Sequence, residues 1–312
     1  MVDTAAATLT FTVLTPTHNR AAVIERTFHS LQGQGAHLFE WLVIDDGSTD
    51  DTATVVAGCA AQADFPVRYV RQSHGHKKTA FNLGVRLARG VMLVVLDDDD
   101  ELAPDTLRRL WALWESIPAA QRDAYVGVVG LCARADGKIV GDRFPRDVMD
   151  CTATDMFFLH GVRGEKFGCQ LTSVLRQHPY PEDVPGFVPE SLVWWAIAAR
   201  GLRTRFVNEV LRTYHATPVS LSTGEAAAGR HALGLYLLNW SWVEQQLPYF
   251  RHAPLAFLLA AARVTRFRLA ARRAGHDALL ARYRVSRPSA RILVAVMAPL
   301  GWLMDRRDRR PG

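Results

Sequence analysis

The first hundred residues alternate between short apolar runs and longer stretches with apolar residues three or four positions apart. The runs predict β-strands and the stretches predict α-helices, because these are the spacings at which each structure buries one face. Strands are predicted at 11–15, 40–45, 67–70 and 91–96, and helices at 21–31, 52–61, 78–88 and after Pro104. Alternation of this kind predicts an α/β fold with a mostly parallel central sheet flanked by helices.

Polar clusters follow three of the predicted strands. They occupy residues 17–20, residues 45–46 and the four consecutive aspartates at 97–100. In parallel sheets, ligands bind beyond the carboxyl ends of the strands. The three clusters therefore predict a ligand site at one edge of the sheet.

The four aspartates are the candidate metal ligands. Consecutive carboxylates repel one another, and Mg²⁺ or Mn²⁺ bridging to phosphates would neutralise them with the oxygen ligands that hard cations prefer. Asp97 and Asp99 have the D-x-D spacing. The alternative is a solvated acidic turn before the next helix, where carboxylates suit the helix dipole.

Two further segments are candidates for binding a nucleotide. Asp45 or Asp46 can accept a hydrogen bond from a base or ribose, although an Asp-Gly-Ser turn satisfies such carboxylates equally well. Residues 76–78, His-Lys-Lys, precede a predicted helix and can contact phosphates, or form a solvated loop. The chain contains neither a P-loop nor a Rossmann glycine motif, so phosphate binding would depend on a metal and side chains.

Composition excludes several classes of protein. With 312 residues, 49% hydrophobic and 22% charged, the chain is of ordinary globular composition rather than disordered or fibrous. Its four cysteines form no C-x-x-C pair, which favours reduced thiols over a structural zinc site. No secretory signal and no apolar run of spanning length are found, so we expect a cytoplasmic protein, with peripheral attachment to the inner face of the membrane as an open alternative.

Charge divides the chain into two parts. Residues 226–312 contain 15 Arg, no Lys and 4 acidic residues, a balance of +11 within an overall charge of +6. We therefore predict a catalytic domain at 1–225 and a basic, apolar helical appendage at 226–312. The uncharged run 292–304 is too short to span a bilayer and contains Pro299. An interfacial helix on an anionic membrane fits it, and a helical hairpin against this chain or a second subunit is the alternative.

Four segments in order resemble the family 2 glycosyltransferases, which have the GT-A fold. They are TVLTPTHNR at 12–20, WLVIDDGSTDDT at 41–52, KTAFNLGVRLARG at 78–90 and VVLDDDDELAP at 94–104. The HGHKKTAFN stretch is similar to a subgroup that reads GGKH-x-A-x-N there. Segments at 127–145, 164–168, 185–198 and 205–215 also resemble that subgroup, so the likeness covers roughly residues 8–222.

The resemblance implies transfer of a sugar, with inversion, from a nucleotide-sugar donor to an acceptor hydroxyl. It favours a UDP-sugar donor and a glycan or lipid-linked acceptor in cell-surface polysaccharide or glycolipid synthesis. Mn²⁺ or Mg²⁺ would be held by Asp97, Asp99 and His215. The implied nucleotide-binding residues are Pro16, Thr17, Asn19, Arg20, Asp45, Asp46, Lys78, Asn82 and Asp98.

The family position of the general base corresponds to Glu190, with Glu182 and Asp183 as fallbacks. An inverting displacement needs one such base to take the acceptor proton. The alternative for Glu190 is a carboxylate favoured by the dipole of the following helix. Two other functions stay open: a nucleotidyltransferase-like enzyme and a non-enzymatic nucleotide-sugar-binding protein. No nucleic-acid-binding motif is present, and a homo-oligomer is possible.

Overall fold

The apolar runs of the chain form one twisted sheet. The structure, a computed structural model, describes residues 9–34, 39–215 and 231–309. Within those ranges the strands are β1 (Phe11–Thr17), β2 (Phe39–Asp45), β3 (Val67–Arg71), β4 (Met92–Val95), β5 (Glu101–Leu102), β6 (Tyr125–Arg134), β7 (Val148–Cys151), β8 (Lys166–Leu171) and β9 (Arg203–Tyr214).

The strand order in the sheet is β3-β2-β1-β4-β8-β6-β9-β5, and β7 pairs with β9. The four strands β3, β2, β1 and β4 are parallel, as the alternating pattern predicts. The other half of the sheet is mixed: β8 is antiparallel to both β4 and β6, whereas β6 and β9 are parallel. The mostly parallel arrangement therefore applies to the first half of the α/β fold.

The α-helices of the described ranges are α1 (Ile24–Gln32), α2 (Thr52–Gln62), α3 (Lys77–Leu87), α4 (Thr106–Glu115), α5 (Ala153–Phe158), α6 (Thr172–Gln177), α7 (Ser191–Ala198), α8 (Ala232–Gln245), α9 (Pro254–Arg273), α10 (Asp277–Arg282) and α11 (Pro288–Asp308). Helices α1 to α6 lie between strands of the sheet in chain order, and the remaining helices belong to the C-terminal part of the chain or to the segment 180–199. Two 3₁₀ helices lie at Ala119–Ala124 and Leu247–His252.

The core lies on both faces of the first strands. Every residue of β1 and β2 is buried, which explains why their sequences are nearly continuous apolar runs rather than alternating ones. On one face Phe28 of α1 stacks on Trp41 of β2, with ring centroids 5.9 Å apart. This packing fixes the carboxyl edge of the sheet, where the candidate residues lie.

The described residues form two compact units. The first contains 9–179 and 200–215, and the second contains 180–199 and 231–309. The predicted boundary between residues 225 and 226 lies outside the described residues. The structure adds one feature that charge did not predict, since 180–199 packs with the C-terminal helices. A Cβ built on Gly234 of α8 would lie 1.9 Å from the carbonyl oxygen of Phe187, so only glycine permits this contact.

The second unit is helical. Trp195 of α7 meets Trp242 of α8 edge-on at 5.9 Å, and Trp242 packs against Phe257 of α9 at 5.3 Å. Of the adjacent tryptophans at 194 and 195, Trp195 is the buried one. The described residues contain no helix that is long and apolar enough to cross a membrane.

Candidate functional site

Three loops of the first unit meet at the carboxyl ends of adjacent strands. β1 lies between β2 and β4, so the loops that follow these three strands are neighbours. The Asp46 N–H donates a 2.8 Å hydrogen bond to the carbonyl of Thr17, which joins the β1 and β2 loops directly. The three polar clusters of the sequence are thus brought together at one edge.

The β1 loop is held in shape by Asn19. Its backbone has φ 55°, a left-handed conformation in which asparagine is among the tolerated residues. The Asn19 N–H donates to Ser48 Oγ at 2.8 Å, and its side-chain Oδ1 accepts from the Thr49 N–H at 2.7 Å. The predicted nucleotide-binding residue Asn19 therefore braces the β1 loop against the β2 loop.

The next residue, Arg20, has its backbone and its side chain in different loops. The Arg20 N–H donates to Thr52 Oγ1 at 3.0 Å, which anchors the residue to the start of α2. Its guanidinium instead reaches the acidic loop after β4, where Nε lies 3.3 Å from Asp98 Oδ1. Arg20 therefore links all three loops.

The β2 loop carries two buried carboxylates, Asp45 and Asp46. Asp45 accepts the Ser48 N–H at 2.7 Å and the Tyr69 hydroxyl. Burial and the bond to Asp45 raise the pKa of Tyr69, so that hydroxyl stays protonated. The structure thus places Asp45 in the turn described above as the alternative to base or ribose binding.

Asp46 makes a denser set of contacts. Its Oδ1 accepts from Gln72 Nε2 at 2.7 Å and from the Gly75 N–H at 2.8 Å, and its Oδ2 lies 2.9 Å from His74 Nδ1. These partners lie between β3 and α3, and His74 and Gly75 begin the HGHKKTAFN stretch. Gln72 lies outside the motifs, and its contact with a carboxylate 26 residues away leaves no local signal.

The acidic loop after β4 is balanced by cations. Asp97 Oδ1 lies 2.7 Å from Lys77 Nζ, and Asp100 Oδ2 lies 3.1 Å from Arg212 Nη1. Arg20 approaches Asp99 at 3.9 Å, in addition to its contact with Asp98. Three cations from three different elements therefore neutralise the aspartates at 97–100.

The four aspartates differ in how easily they ionise. Burial raises the pKa of Asp98 to about 7, and burial likewise raises that of Asp100 to about 7. Burial also acts on Asp97, but its pKa is lowered overall by the charges of Lys77 and Arg212. Asp97 is therefore the aspartate that the surrounding cations keep charged.

Arg212 is the functional residue that sequence reasoning missed. It lies on β9 opposite Leu102 of β5, is 5% exposed, and also contacts Glu165 at 3.3 Å. Although burial opposes its charge, the negative groups around it, including Asp100 and Asp97, raise its pKa further. A charged residue in a β-rich run is a weak signal by itself, because its partners Asp97 and Asp100 lie more than 100 positions earlier.

His215 follows β9 and faces Glu101. Its Nε2 lies 2.8 Å from Glu101 Oε1, at angles that do not make a hydrogen bond, and its N–H donates to Asp100 Oδ1 at 2.9 Å. The predicted metal ligand thus reaches the acidic loop through its backbone. Within residues 9–34, 39–215 and 231–309, no three His, Cys, Asp or Glu side chains converge as a metal site.

The acidic loop nevertheless fits a hard divalent cation by its chemistry. Its donors are carboxylate oxygens, and Asp97 is held in the charged form that a metal requires. Mg²⁺ and similar ions are commonly bound by one or two carboxylates together with substrate phosphates, so three converging protein ligands are not required. Asp97 and Asp99 are the residues that would hold such an ion.

The helix after His76 presents Lys77 to this loop. Lys77, with a side chain 41% exposed, makes an ion pair with Asp97. Lys78 and Asn82 are buried residues of α3, 6% and 3% exposed. Lys77, considered above as a phosphate ligand, thus lies at the acidic loop.

The candidate bases belong to the second unit. Glu190 is exposed at the N-terminus of α7, where its carbonyl accepts the Val193 N–H at 3.0 Å and its side chain makes no capping bond. Asp183 is also exposed, but it is paired with Arg282 at 2.7 Å. Glu182 is exposed in the same loop.

This arrangement is an α/β domain with acidic and basic side chains at the carboxyl edge of a parallel half-sheet, the edge at which such domains bind their ligands. Residues 12–162 match the family described as "Glycosyl transferase family 2". The predicted resemblance to the family 2 glycosyltransferases is confirmed over this segment, and the α/β domain has the GT-A fold, as the sequence motifs predict.

Two curated relatives illustrate the family. The GalNAc(5)-diNAcBac-PP-undecaprenol beta-1,3-glucosyltransferase of Campylobacter jejuni is 35% identical over 103 residues, 31% of this chain and 32% of that protein. The putative teichuronic acid biosynthesis glycosyltransferase TuaG of Bacillus subtilis is 22% identical over 227 residues, 72% of this chain and 86% of that protein. For several curated relatives, the match covers only about a third of their length.

A solved structure has the same fold. The mannosyltransferase PcManGT from Pyrobaculum calidifontis, in complex with GDP-Man and Mn²⁺, superposes with a TM-score of 0.57. The two chains are 21% identical, and the superposition covers 96% of this chain and 88% of that one. At this identity the likeness establishes the shared fold.

Proposed function

We propose that this chain is a metal-dependent, inverting glycosyltransferase that moves a sugar from a nucleoside-diphosphate sugar to an acceptor hydroxyl. The observation that carries the proposal is the acidic loop at 97–100, which meets Arg20, Lys77 and Arg212 at the carboxyl edge of the sheet. A diphosphate needs cationic neutralisation, and its metal needs carboxylates. This loop offers both within one set of contacts.

The donor is a UDP-sugar in this proposal, as the family resemblance favours. The nucleoside lies by the β1 and β2 loops, where Pro16 and Thr17 end β1 and Asp46 is fixed by Gln72 and Gly75. Because GDP-Man occupies the similar fold of PcManGT, GDP-sugars belong in any test of the donor.

Mn²⁺ or Mg²⁺, bound through Asp97 and Asp99, supplies stabilisation of negative charge on the departing diphosphate. The chain's own residues act around that charge. Lys77 releases Asp97 and turns to the diphosphate, while the buried Arg212 holds Asp100 and the end of the loop in place. His215 supports the same loop through its N–H to Asp100.

Glu190 serves as the general base in this proposal. It is an exposed carboxylate at the start of a helix, and it corresponds to the family position of the base. Its task is to accept the proton of the attacking hydroxyl on the face opposite the leaving diphosphate. Asp183, which pairs with Arg282, is the fallback.

The acceptor is a glycan or lipid-linked glycan of a cell-surface polysaccharide. Support comes from the functions of two relatives. The Campylobacter jejuni protein is named a glucosyltransferase of an undecaprenol-linked glycan, and TuaG is named a putative teichuronic acid biosynthesis glycosyltransferase. The nucleotidyltransferase alternative lacks a glycine-rich, basic loop after the first strand, where this chain has Pro16-Thr17-His18-Asn19. A non-enzymatic nucleotide-sugar-binding protein would bind the donor without cleaving it, so measurement of donor cleavage distinguishes it from an enzyme.

The test is a panel of UDP- and GDP-sugars incubated with the full chain and Mn²⁺, with released nucleoside diphosphate as the readout. One donor should be cleaved, and Glu190→Gln should lower the rate by about a hundredfold or more while nucleotide binding is kept. Glu182→Gln and Asp183→Asn are matched controls from the same unit and should remain active. Loss of activity in Asp183→Asn with full activity in Glu190→Gln would transfer the role of base to Asp183.

A further inference from the structure

The C-terminal helix of the second unit exposes an apolar stripe. Along α11, Ile292, Val296 and Leu303 are 66%, 68% and 58% exposed, and Leu300 between them is 39% exposed. Their spacing of four, four and three residues places them on one face of a helix. Four large apolar side chains in water on a single face are unusual for a surface helix and indicate a binding surface.

The opposite face of α11 is fixed against α9. A Cβ built on Gly301 would lie 2.2 Å from the carbonyl oxygen of Ala262, so the two backbones are in direct contact there. Asp308 pairs with Arg266 of α9 at 2.6 Å, and Asp305 pairs with Arg273. The helix is therefore held in one orientation, with its acidic side chains turned toward α9 and the stripe turned away.

Basic and aromatic side chains bound the stripe at both ends. Exposed Arg291 precedes it, and exposed Arg306 and Arg307 follow it. Trp302 is 46% exposed, with the Arg306 guanidinium 4.5 Å from its ring centroid. Tryptophan and arginine are the residues that anchor helices at the boundary between lipid headgroups and acyl chains.

Helix α9, which packs beside α11, adds a second exposed apolar pair. Leu255 and Leu259 are 75% and 41% exposed and lie one turn apart. The stripe from Ile292 to Leu303 is about 17 Å long at 1.5 Å per residue. Since none of the described helices can cross a membrane, a stripe of this length suits a helix that lies in the plane of the interface.

We propose that α11 docks this stripe on an anionic lipid surface, with Arg291, Arg306 and Arg307 contacting phosphate headgroups. Charge complementarity selects this occupant, since residues 226–312 carry a balance of +11. A second copy of the chain fits less well. An antiparallel pair of stripes would bring Arg291 of one copy against Arg306 and Arg307 of the other, and like charges at an interface are unfavourable.

The test is flotation of the full chain with vesicles, a readout that involves no catalysis and is independent of the proposed transfer reaction. Vesicles of equimolar phosphatidylglycerol and phosphatidylcholine should carry the chain upward, and vesicles of phosphatidylcholine alone should carry about a tenth as much or less. Val296→Asp should lower the partition coefficient on anionic vesicles by about tenfold or more. Leu303→Asp, at the other end of the stripe, should do the same.

Val148→Asp is the matched control, because Val148 is an exposed valine of β7 in the first unit, 51% exposed. It should float like the unaltered chain. The triple variant Arg291→Gln, Arg306→Gln, Arg307→Gln should lose binding to anionic vesicles and keep its weak binding to neutral ones. Far-ultraviolet circular dichroism of each variant reports whether the helices are intact.

Three outcomes would overturn the proposal. They are an unaltered chain that does not float, equal flotation of Val296→Asp and Val148→Asp, and a dimer in vesicle-free solution that Val296→Asp dissociates while flotation is unchanged. The last result would assign the stripe to a second copy of the chain.

Discussion

Two loops at the same edge of the sheet carry buried aspartates, and they are stabilised in opposite ways. After β2, Asp45 and Asp46 contact N–H and O–H donors, which are the amides of Ser48 and Gly75 and the side chains of Tyr69, Gln72 and His74. After β4, the aspartates at 97–100 bind the charged groups of Arg20, Lys77 and Arg212. The first loop is mainly a frame of hydrogen bonds, whereas the second is a set of ion pairs.

The difference indicates which loop can change partners. A carboxylate that accepts hydrogen bonds from backbone N–H groups cannot lose those bonds unless the turn that carries the N–H groups unfolds. A lysine can leave a carboxylate by rotating its own side chain, and a diphosphate with its metal offers both partners a replacement. We therefore propose that the β2 loop keeps its conformation when the donor binds, and that the β4 loop exchanges its ion-pair partners.

The largest expected effect is on turnover. Asp97→Asn removes an aspartate whose pKa is lowered by the charges of Lys77 and Arg212, and we expect kcat/KM for donor cleavage to fall by about a hundredfold or more. The steady-state assay is the released-nucleotide panel described above. Asp136→Asn, an exposed aspartate paired with Lys138 at 3.1 Å, is the control and should keep full activity. If Asp97→Asn were as active as the unaltered chain, the acidic loop would have no role in the reaction.

The next largest effect is on the stability of the folded chain, and it tests the role of the β2 loop. Asp45→Ala leaves the buried Tyr69 hydroxyl and the Ser48 N–H without their acceptor, and we expect the free energy of unfolding to fall by about 3 kcal/mol. Urea denaturation measures it. Tyr69→Phe removes one donor only and should cost about 1 kcal/mol. A loss below 1 kcal/mol in Asp45→Ala would mean that the turn does not depend on this carboxylate.

A third prediction concerns the pH dependence of stability without metal or nucleotide. Burial raises the pKa of Asp98 from 3.8 to about 7, so between these values the folded chain binds the extra proton. Stability contributed by this group is therefore greatest below pH 3.8 and falls as the pH rises toward 7, by at most about 1.4 kcal/mol per pH unit. Comparison of urea midpoints from pH 5 to pH 8 should show a smaller decline in Asp98→Asn. An identical decline would contradict the raised pKa.

The smallest expected effect is on metal binding, and it tests Lys77, which forms an ion pair with Asp97. Lys77→Gln should tighten Mn²⁺ binding to the nucleotide-free chain, because the metal no longer competes with the ammonium group. Both side chains are more than a third exposed, so the ion pair is worth at most about 1 kcal/mol and the change should be a few-fold. Lys138→Gln is the control. Weaker Mn²⁺ binding in Lys77→Gln would show that the lysine supports the ion rather than displacing it.

The half of the fold that the sequence predicts well is the half with local signals. β1 to β4 and the helices between them have apolar periods that identify them, and the polar clusters fall at strand ends where a parallel sheet puts its ligands. The mixed half has no such pattern, because the pairing of β8 with β4 and of β9 with β6 joins segments far apart in the chain.

Contacts between residues far apart in the chain also explain why the sequence does not predict all of the candidate site. Lys77 and Arg212 reach Asp97 and Asp100 from positions 20 or more residues away, and only the register of β9 brings Arg212 beside the loop. The grouping of 180–199 with the C-terminal helices is likewise a packing effect, in which Gly234 admits the carbonyl of Phe187. Charge along the chain carries no information about it.

The most direct test of the account is calorimetric binding of UDP and GDP to the full chain, with Mn²⁺ and with a chelator. We expect one of the two nucleotides to bind only when Mn²⁺ is present, with binding lost in Asp97→Asn and kept in Asp136→Asn. Binding that is equally tight with the chelator, or unchanged in Asp97→Asn, would contradict the claim that the β4 loop exchanges its cations for a metal and a diphosphate.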